Sequence, residues 1–285
     1  MFEPEYNVLI VDDDPDVLAV SKLAMRNFTV YGSPVKLHTA TSKAEAIEVI
    51  TSQLSTPATA GGKLGVAIID VVMETDTAGL ELCDYIRNDL GNKWCQLYVR
   101  TGQPGVAPER AVIDKYEING YFTKVEASED KLYTIVKTGV RMTTTFSVAQ
   151  AAIRLIDAMI EHAASRDTAV NVLRQGLAAR NPAVPTGISL GDKLVVFHMD
   201  EPAFHEMVGR LNTLAGGGER PGHPMNDHGD KYIIEGNEVL IKVAESPTTV
   251  EAFWAQRLFG EPSETIIELL YLGLRGCAAV IKRAA

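Results

Sequence analysis

Val66–Asp70, with the sequence VAIID, is the segment that decides how the first half of this chain folds. A short apolar run bounded by turn residues predicts a central strand that is buried on both faces of a sheet. Its last residue, Asp70, then lies at the carboxyl end of a strand, which is where open α/β sheets bind ligands and carry out chemistry. Asp70 is therefore the first candidate site residue.

The surrounding sequence predicts four more strands, which alternate with amphipathic helices. These strands are expected at residues 8–11, 36–40, 97–101 and 120–124. The first helix begins at Pro15 after the N-cap Asp14, and its buried face includes Ser21 at the 3-4 spacing. Five strand–helix units of about 125 residues in total predict a parallel sheet of the flavodoxin-like (βα)5 type with helices on both faces.

Polar side chains stand at the carboxyl ends of four of these strands. They are Asp12 with Asp13, Asp70, Thr101 and Lys124. Because these strand ends share one edge of the sheet, the side chains are expected to converge, and clustered carboxylates repel one another unless a cation neutralises them. Oxygen ligands of this kind suit Mg²⁺. The set therefore predicts a site that transfers a phosphoryl group to the carboxylate of Asp70.

These residues resemble the receiver domain of two-component response regulators over about residues 5–140. The motifs that carry the resemblance are Val-Asp12-Asp13-Asp14-Pro15, Ile-Asp70-Val-Val-Met, Arg-Thr101-Gly102 and Tyr121-Phe-Thr-Lys124. The resemblance implies that Asp70 accepts a phosphoryl group from a sensor histidine kinase or a phosphotransfer protein, with Mg²⁺ as the cofactor.

The resemblance also implies a role for each matching residue. Asp13, Asp70 and the carbonyl group of Val72 would be direct metal ligands, and Asp12 would act through water. Thr101 and Tyr121 fall at the two switch positions, and Lys124 would bind the phosphoryl group.

Two features depart from the usual receiver sequence. Lys124 is followed by Val125 rather than proline, and because a cis bond before a non-proline residue costs about 3 kcal/mol, a trans bond is expected. Glu74 stands where a proline is common and is a candidate modulator of phosphoryl hydrolysis, in either direction. Met73–Asp76 together with the RTGQPG segment at 100–105 resembles a receiver subgroup in which a GAF-like region follows, often with an HD-type cyclic-dinucleotide phosphodiesterase.

Composition and charge limit the partners. A length of 285 residues suggests two domains. The 27 basic and 37 acidic residues give a net charge of −10, which argues against nonspecific binding to nucleic acid or to an anionic membrane. Three widely spaced cysteines and an acidic N-terminus without signal-peptide features indicate reduced thiols and a cytoplasmic protein.

A proline-free stretch from 109 to 181 permits long helices. An apolar 3-4 seam runs through it at Leu132, Ile135, Gly139, Met142, Phe146, Ala149, Ile153, Ile156, Ile160 and Ala163. The seam predicts a helical connector at 128–165 that forms a parallel homodimer stalk; the alternative is that this helix packs on its own C-terminal domain. Thr143–Thr145 is a plausible break in the helix.

The second half is predicted to be a GAF-like α+β domain at 166–285, after a receiver at 1–127. Helices are expected at about 167–179 with Asp167 as the cap, 202–214, 248–259 and 263–283, with a strand at 194–197 and a hairpin at 231–243. The cluster of His223, Asp227, His228 and Asp230 lies in a Gly/Pro-rich stretch and is interpreted as a solvated loop rather than a metal site.

The resulting hypothesis is a response regulator that signals to an unknown downstream protein by conformational or oligomeric change. No DNA-binding or enzymatic signature is apparent, so no enzyme activity is expected beyond the receiver's own phosphotransfer and dephosphorylation. Two alternatives stay open. The C-terminal domain could be a receiver-regulated enzyme or a sensor of cyclic nucleotides or other small ligands, or the protein could be a phosphate sink.

Overall fold

The computed structural model describes residues 5–55, 62–102, 109–162, 164–178, 185–190, 193–215, 232–243, 252–257 and 263–283. The chain divides into two compact units, residues 3–143 and, in the main, residues 144–285. Each unit has a sheet of its own.

The N-terminal unit is built on a six-stranded sheet. Its strands are β1 (Tyr6–Val11), β2 (Thr29–Val30), β3 (Ser33–Ala40), β4 (Leu64–Asp70), β5 (Gln96–Thr101) and β6 (Gly120–Thr123). Their order is β2-β3-β1-β4-β5-β6, and only the short β2 is antiparallel to its neighbour. The five parallel strands, counted along the chain, therefore lie in the order 2-1-3-4-5, which is the flavodoxin-like arrangement that the sequence predicts.

Helices cover both faces of this sheet. They are α1 (Pro15–Met25), α2 (Lys43–Gln53), α3 (Ala78–Asp84), α4 (Glu109–Tyr116) and the long α5 (Glu129–His162). A π-helical turn, Tyr85–Asp89, continues α3. The predicted cap Asp14 accepts a hydrogen bond from the backbone N–H of Asp16, which confirms the expected start of α1. Ser42 caps α2 in the same way, by accepting from the backbone N–H of Glu45.

The register of the strands brings their carboxyl ends level. Val11 lies beside Ile69, Asp70 beside Arg100, and Thr101 beside Thr123. The residues that end or follow these strands therefore meet at one edge of the sheet, where the crevice of an open α/β sheet lies.

The core lies on both faces of the sheet, as the apolar strands require. Leu9, Ile69 and Val99 pack toward α2 and α3, while Val8 and Ile68 pack toward α1 and the first turns of α5. All five side chains are fully buried. Burial on two faces explains why the β4 sequence is continuously apolar rather than alternating.

The first half of α5 belongs to this core. Leu132 and Ile135 are buried in it, and the hydroxyl group of Thr143 donates a hydrogen bond of 2.9 Å to the carbonyl oxygen of Gly65. The compact unit consequently extends to residue 143, past the receiver boundary expected at residue 127.

The C-terminal unit has the α+β composition that the sequence predicts. Its strands are β7 (Thr186–Leu190), β8 (Lys193–Phe197), β9 (Tyr232–Glu235), β10 (Glu238–Val243) and β11 (Ala252–Arg257), and they form an antiparallel sheet in the order β8-β7-β11-β10-β9. Its helices are α6 (Arg166–Ala178), α7 (Glu201–Ala215) and α8 (Glu264–Arg283). The expected hairpin is confirmed as β9 and β10; the GAF-like assignment stays a prediction.

Three local predictions are wrong. Residues 252–257 form a strand instead of a helix, because β11 gains backbone hydrogen bonds from both β7 and β10 at the centre of its sheet. Ser165, rather than Asp167, precedes α6 and accepts a hydrogen bond from the backbone of Thr168. The break expected at Thr143–Thr145 does not occur, since α5 is helical through those residues.

The cysteines and the peptide bond after Lys124 agree with the sequence analysis. The cysteines Cys83, Cys95 and Cys277 are free and buried, and burial raises the pKa of each thiol to about 12. Within the described residues no peptide bond is cis, including the bond after Lys124. No described helix is both long enough and apolar enough to cross a membrane.

Candidate functional site

Asp70 ends β4 at the bottom of an open cleft. The cleft is lined by Asp13, Asp14, Asp70, Val72, Thr101, Gly102 and Lys124. Asp70 is only 3% exposed, and burial raises its pKa although the hydrogen bond and charge of Lys124 act in the opposite direction. Its Oδ1 atom is buried and has no hydrogen-bond partner among the described residues. A buried carboxylate oxygen without a hydrogen-bond partner is available to bind a ligand.

Asp12 and Asp13 follow β1 and bring two more carboxylates to the same place. One oxygen from each of Asp12, Asp13 and Asp70 lies within 4.8 Å of the others. Asp12 is fully buried, whereas Asp13 is exposed at the mouth of the cleft. The structure thus brings the three predicted acidic residues together.

Lys124 follows β6 and bridges two of these carboxylates. Its Nζ atom lies 2.6 Å from Asp70 Oδ2 and 3.0 Å from Asp12 Oδ1. Burial alone would lower the pKa of Lys124, but the hydrogen bonds and charges of Asp70 and Asp12 outweigh it, so that the pKa is raised and the ammonium group keeps its charge. Lys124 is therefore a protonated cation beside the candidate phosphoacceptor.

Of the other predicted site residues, two line the cleft and two do not. Thr101 and Val72 line the cleft, and Thr101 is almost fully buried. Tyr121 is half-buried against the core on the β5–β6 side and does not line the cleft. Glu74 is exposed, and its carboxylate accepts a hydrogen bond of 3.0 Å from the backbone N–H of Lys43 at the start of α2. That bond directs Glu74 toward α2.

Arg100 is a site residue that the sequence analysis did not single out. It is 1% exposed, and its guanidinium group donates hydrogen bonds of 3.1 Å to Asp12 Oδ2 and to the hydroxyl oxygen of Ser21. The signal was available, because Ser21 is a polar residue on the buried face of α1 and Arg100 is a charge inside an otherwise buried strand.

Gly79 explains how α3 approaches the carboxyl end of β4. A Cβ atom at Gly79 would lie 1.7 Å from the carbonyl oxygen of Asp70. The backbone N–H of Gly79 also donates a hydrogen bond of 3.1 Å to the carbonyl oxygen of Val71. Only glycine permits this close passage of two backbones, which holds the residue after Asp70 in place.

These residues fit a small divalent cation. Mg²⁺ takes oxygen ligands, few of them from protein carboxylates, and keeps several waters. The buried Asp70 Oδ1 and the exposed carboxylate of Asp13 both supply such oxygens at the cleft. The arrangement is consistent with a divalent metal site, and these ligands do not specify which metal binds.

The matches to known proteins lie in the N-terminal half of the chain. No family model matches the chain. Over 129 residues, 45% of its length, the chain is 40% identical to the 3'3'-cGAMP-specific phosphodiesterase 2 of Vibrio cholerae serotype O1 (strain ATCC 39315 / El Tor Inaba N16961), and this match spans only 23% of that protein.

Solved receiver structures cover about half of the chain. The signal receiver domain of an HD domain-containing protein from Pseudomonas fluorescens Pf-5 is 16% identical, with a TM-score of 0.40 over 49% of this chain and 97% of that one. The phosphorylated cyanobacterial phytochrome response regulator RcpA is 20% identical, with a TM-score of 0.36 over 47% and 90%. The Mn²⁺-bound response regulator Rcp1 is 16% identical, with a TM-score of 0.34 over 47% and 90%.

The strand order 2-1-3-4-5, with an acidic cluster at its carboxyl edge, decides the fold. The N-terminal half has the receiver fold. In this unit, the strand ends predicted from the sequence are adjacent in space, with Asp70 at the centre.

One expectation is overturned by the comparisons. The sequence analysis expected no enzyme beyond the receiver's own chemistry, but the curated relative with 40% identity is itself an enzyme, a phosphodiesterase. The absence of a recognisable catalytic motif was the basis of that expectation, and a domain without a known motif can still be catalytic or serve a catalytic domain. The expectation is therefore withdrawn.

Proposed function

We propose that this protein is a response regulator in which Asp70 accepts a phosphoryl group from a sensor histidine kinase or a phosphotransfer protein. One observation supports this most strongly. Asp70 lies at the bottom of an open cleft, where its Oδ1 atom is buried without a hydrogen-bond partner among the described residues and its Oδ2 atom forms an ion pair with Lys124. In the transfer, a carboxylate oxygen of Asp70 bonds to phosphorus, the phosphorus–nitrogen bond of the donor phosphohistidine breaks, and the imidazole leaves as the nucleofuge.

Each neighbour has a proposed task in this transfer. Asp13, Asp70 and the Val72 carbonyl group would hold Mg²⁺, with Asp12 acting through water; when bound, the cation offsets the charge of the transferring group. Lys124 would move from the two carboxylates to a phosphoryl oxygen, and the hydroxyl group of Thr101 would donate to another. Tyr121, packed beside Thr101's strand, would change position with it and pass the change to the β5–β6 surface.

Binding of beryllofluoride tests this proposal without a kinase. We expect ¹⁹F NMR resonances of a bound beryllofluoride in the wild-type protein with Mg²⁺, and none after EDTA is added. Asp70→Asn is expected to bind none, because the amide cannot form the carboxylate–beryllium bond. Glu74→Gln serves as a matched control, since its carboxylate is directed toward α2. Bound resonances in Asp70→Asn would refute the role of Asp70.

A homodimer is the second part of the proposal. In α5, Ile153 and Ile160 are 67% and 63% exposed and stand seven residues apart, on one helix face. Two exposed isoleucines at heptad spacing favour contact with the same helix of a second copy. Phosphorylation would then change the oligomer or a surface that an unknown downstream protein recognises. The charge of −10 favours a protein partner over nucleic acid or membrane.

A second candidate function is favoured by the curated relative. The receiver domain would regulate a phosphodiesterase activity, either in this chain's C-terminal unit or in a protein that it contacts. The chain matches only 23% of that enzyme, and the candidate residues His223, Asp227, His228 and Asp230 lie outside the described residues. An assay of 3'3'-cGAMP hydrolysis by the full chain, with and without beryllofluoride, distinguishes this candidate function from the first. Hydrolysis that depends on Asp70 would favour catalysis within this chain.

A further inference from the structure

Asp12 is more fully engaged than the other two acidic residues of the cluster. Its Oδ2 atom accepts a hydrogen bond from Arg100, and its Oδ1 atom accepts from Lys124 Nζ and from the backbone N–H of Asp14, each at 3.0–3.1 Å. Asp70, by contrast, keeps one buried oxygen without a described partner. The two carboxylates therefore differ in the oxygens that they can offer to a cation.

Arg100 is the residue that makes this difference permanent. Both Arg100 and Asp12 are essentially inaccessible to solvent, so their ion pair lies in a medium of low dielectric constant, where removing one partner leaves an uncompensated charge. Lys124 is a quarter exposed and can leave Asp12 for another oxygen. Arg100 cannot follow it, because a second hydrogen bond ties its guanidinium group to Ser21 of α1.

The balance of charges at the cleft also depends on Arg100. The cluster has three carboxylates, Asp12, Asp13 and Asp70, against the cations Lys124 and Arg100. Without Arg100, Asp12 would keep an oxygen for an incoming divalent cation, and the cleft would carry one more uncompensated negative charge. Both effects would tighten cation binding.

We propose that Arg100 is a positioning residue that keeps Asp12 out of the metal's coordination shell and thereby weakens Mg²⁺ binding to the receiver cleft. The inference rests on the proposed function, since it deepens the account of that metal site. Its consequence is that Asp13 and Asp70 carry the direct carboxylate coordination, while Asp12 serves to hold Lys124 close to Asp70. A weaker metal site makes occupancy dependent on the Mg²⁺ concentration around the protein.

Calorimetric titration of the metal-free full chain with Mg²⁺ tests the proposal. Arg100→Met is expected to bind Mg²⁺ about fivefold more tightly than the wild type, because a released Asp12 joins the ligands. The larger part of the effect must pass through Asp12, so Arg100→Met should tighten Mg²⁺ binding by a smaller factor in an Asp12→Asn background than in the wild type. The double variant loses both members of the ion pair, so its Mg²⁺ affinity can be compared with that of Asp12→Asn even where Arg100→Met fails to fold.

Arg87→Met is the matched control. Arg87 is another buried arginine of this unit, and it bonds to the backbone carbonyl groups of Asn92 and Glu117 at the far edge of the sheet. Its loss should destabilise the fold without changing Mg²⁺ affinity. Unchanged affinity in Arg100→Met, or an equal gain when Asp12 is already asparagine, would overturn the inference. No Mg²⁺ or beryllofluoride binding by the wild type would instead refute the proposed function itself.

Discussion

Asp70 combines burial with an ionised carboxylate, and this combination has a cost in folding stability. Burial raises the pKa of Asp70 in the folded state. Between the unfolded and the folded pKa, the folded protein binds more protons than the unfolded one, so stability falls as the pH rises through this window. Ionisation of Asp70 in the folded protein therefore costs stability, as expected of a functional group.

Asp70→Asn should consequently be more stable than the wild type at pH 7 in the presence of EDTA. The variant keeps the size of the side chain and removes the buried charge. The gain should shrink as the pH falls below the range in which the wild-type carboxylate ionises. Thermal unfolding at a series of pH values measures this difference. A less stable variant at pH 7 would show that the bond to Lys124 outweighs the cost of burial.

Gly79 is the second residue whose identity the site requires. Gly79→Ala places a methyl group 1.7 Å from the carbonyl oxygen of Asp70, so one of two backbones must shift. We expect a loss of about 3 kcal/mol of unfolding free energy or more, measured by urea denaturation.

Gly65→Ala is the control for this substitution. Its new methyl group would meet its nearest neighbour at 3.6 Å, which is ordinary contact. The free energy of unfolding should change by less than about 1 kcal/mol. Equal losses in the two variants would contradict the steric explanation.

At the scale of elements, α5 illustrates what the sequence can and cannot predict. The proline-free apolar seam correctly indicates one long helix. It does not reveal that Leu132 and Ile135 pack in the receiver core while Ile153 is exposed, because all three satisfy the same helical periodicity. Burial of a seam depends on which element lies against it, and that is a property of the tertiary structure.

The strand ends were predictable for a different reason. Asp12, Asp70 and Lys124 each follow a short apolar run, and a parallel sheet must bring such ends together. The partner of Asp12 was not predictable in the same way, because Arg100 is 88 residues distant in the sequence and no local pattern joins the two. Likewise, β11 becomes a strand through pairing on both sides rather than through local propensity.

Thr143 offers a test at this scale. Its hydroxyl group donates to the carbonyl oxygen of Gly65 and attaches α5 to the start of β4. Thr143→Val keeps the shape and removes this donor, so the N-terminal unit should lose about 1 kcal/mol of stability. Thr134→Val is the control, since among the described residues the hydroxyl group of Thr134 donates within α5, to the carbonyl oxygen of Asp130. Chemical denaturation of both variants should show a clear difference, and equal stabilities would rule out the tether.

For the whole molecule, the exposed face of α5 predicts association of two chains. Ile153→Asp together with Ile160→Asp should abolish the dimer while leaving the fold intact, because both side chains are largely exposed. Sedimentation velocity measures the mass, and circular dichroism checks the fold. Leu272→Asp is the control, since Leu272 is an exposed apolar residue of α8 rather than α5. Dissociation caused by Leu272→Asp alone would move the interface to α8.

The central claim is that Asp70 is the phosphoacceptor, and mass spectrometry tests it most directly. The full chain would be incubated with a small-molecule phosphodonor and Mg²⁺, then digested so that the segment around Asp70 is separated from the segment around Asp12 and Asp13. The account predicts one phosphoryl group, on Asp70, which is absent with EDTA and absent in Asp70→Asn. A phosphoryl group on Asp13, or equal labelling of Asp70→Asn, would contradict it.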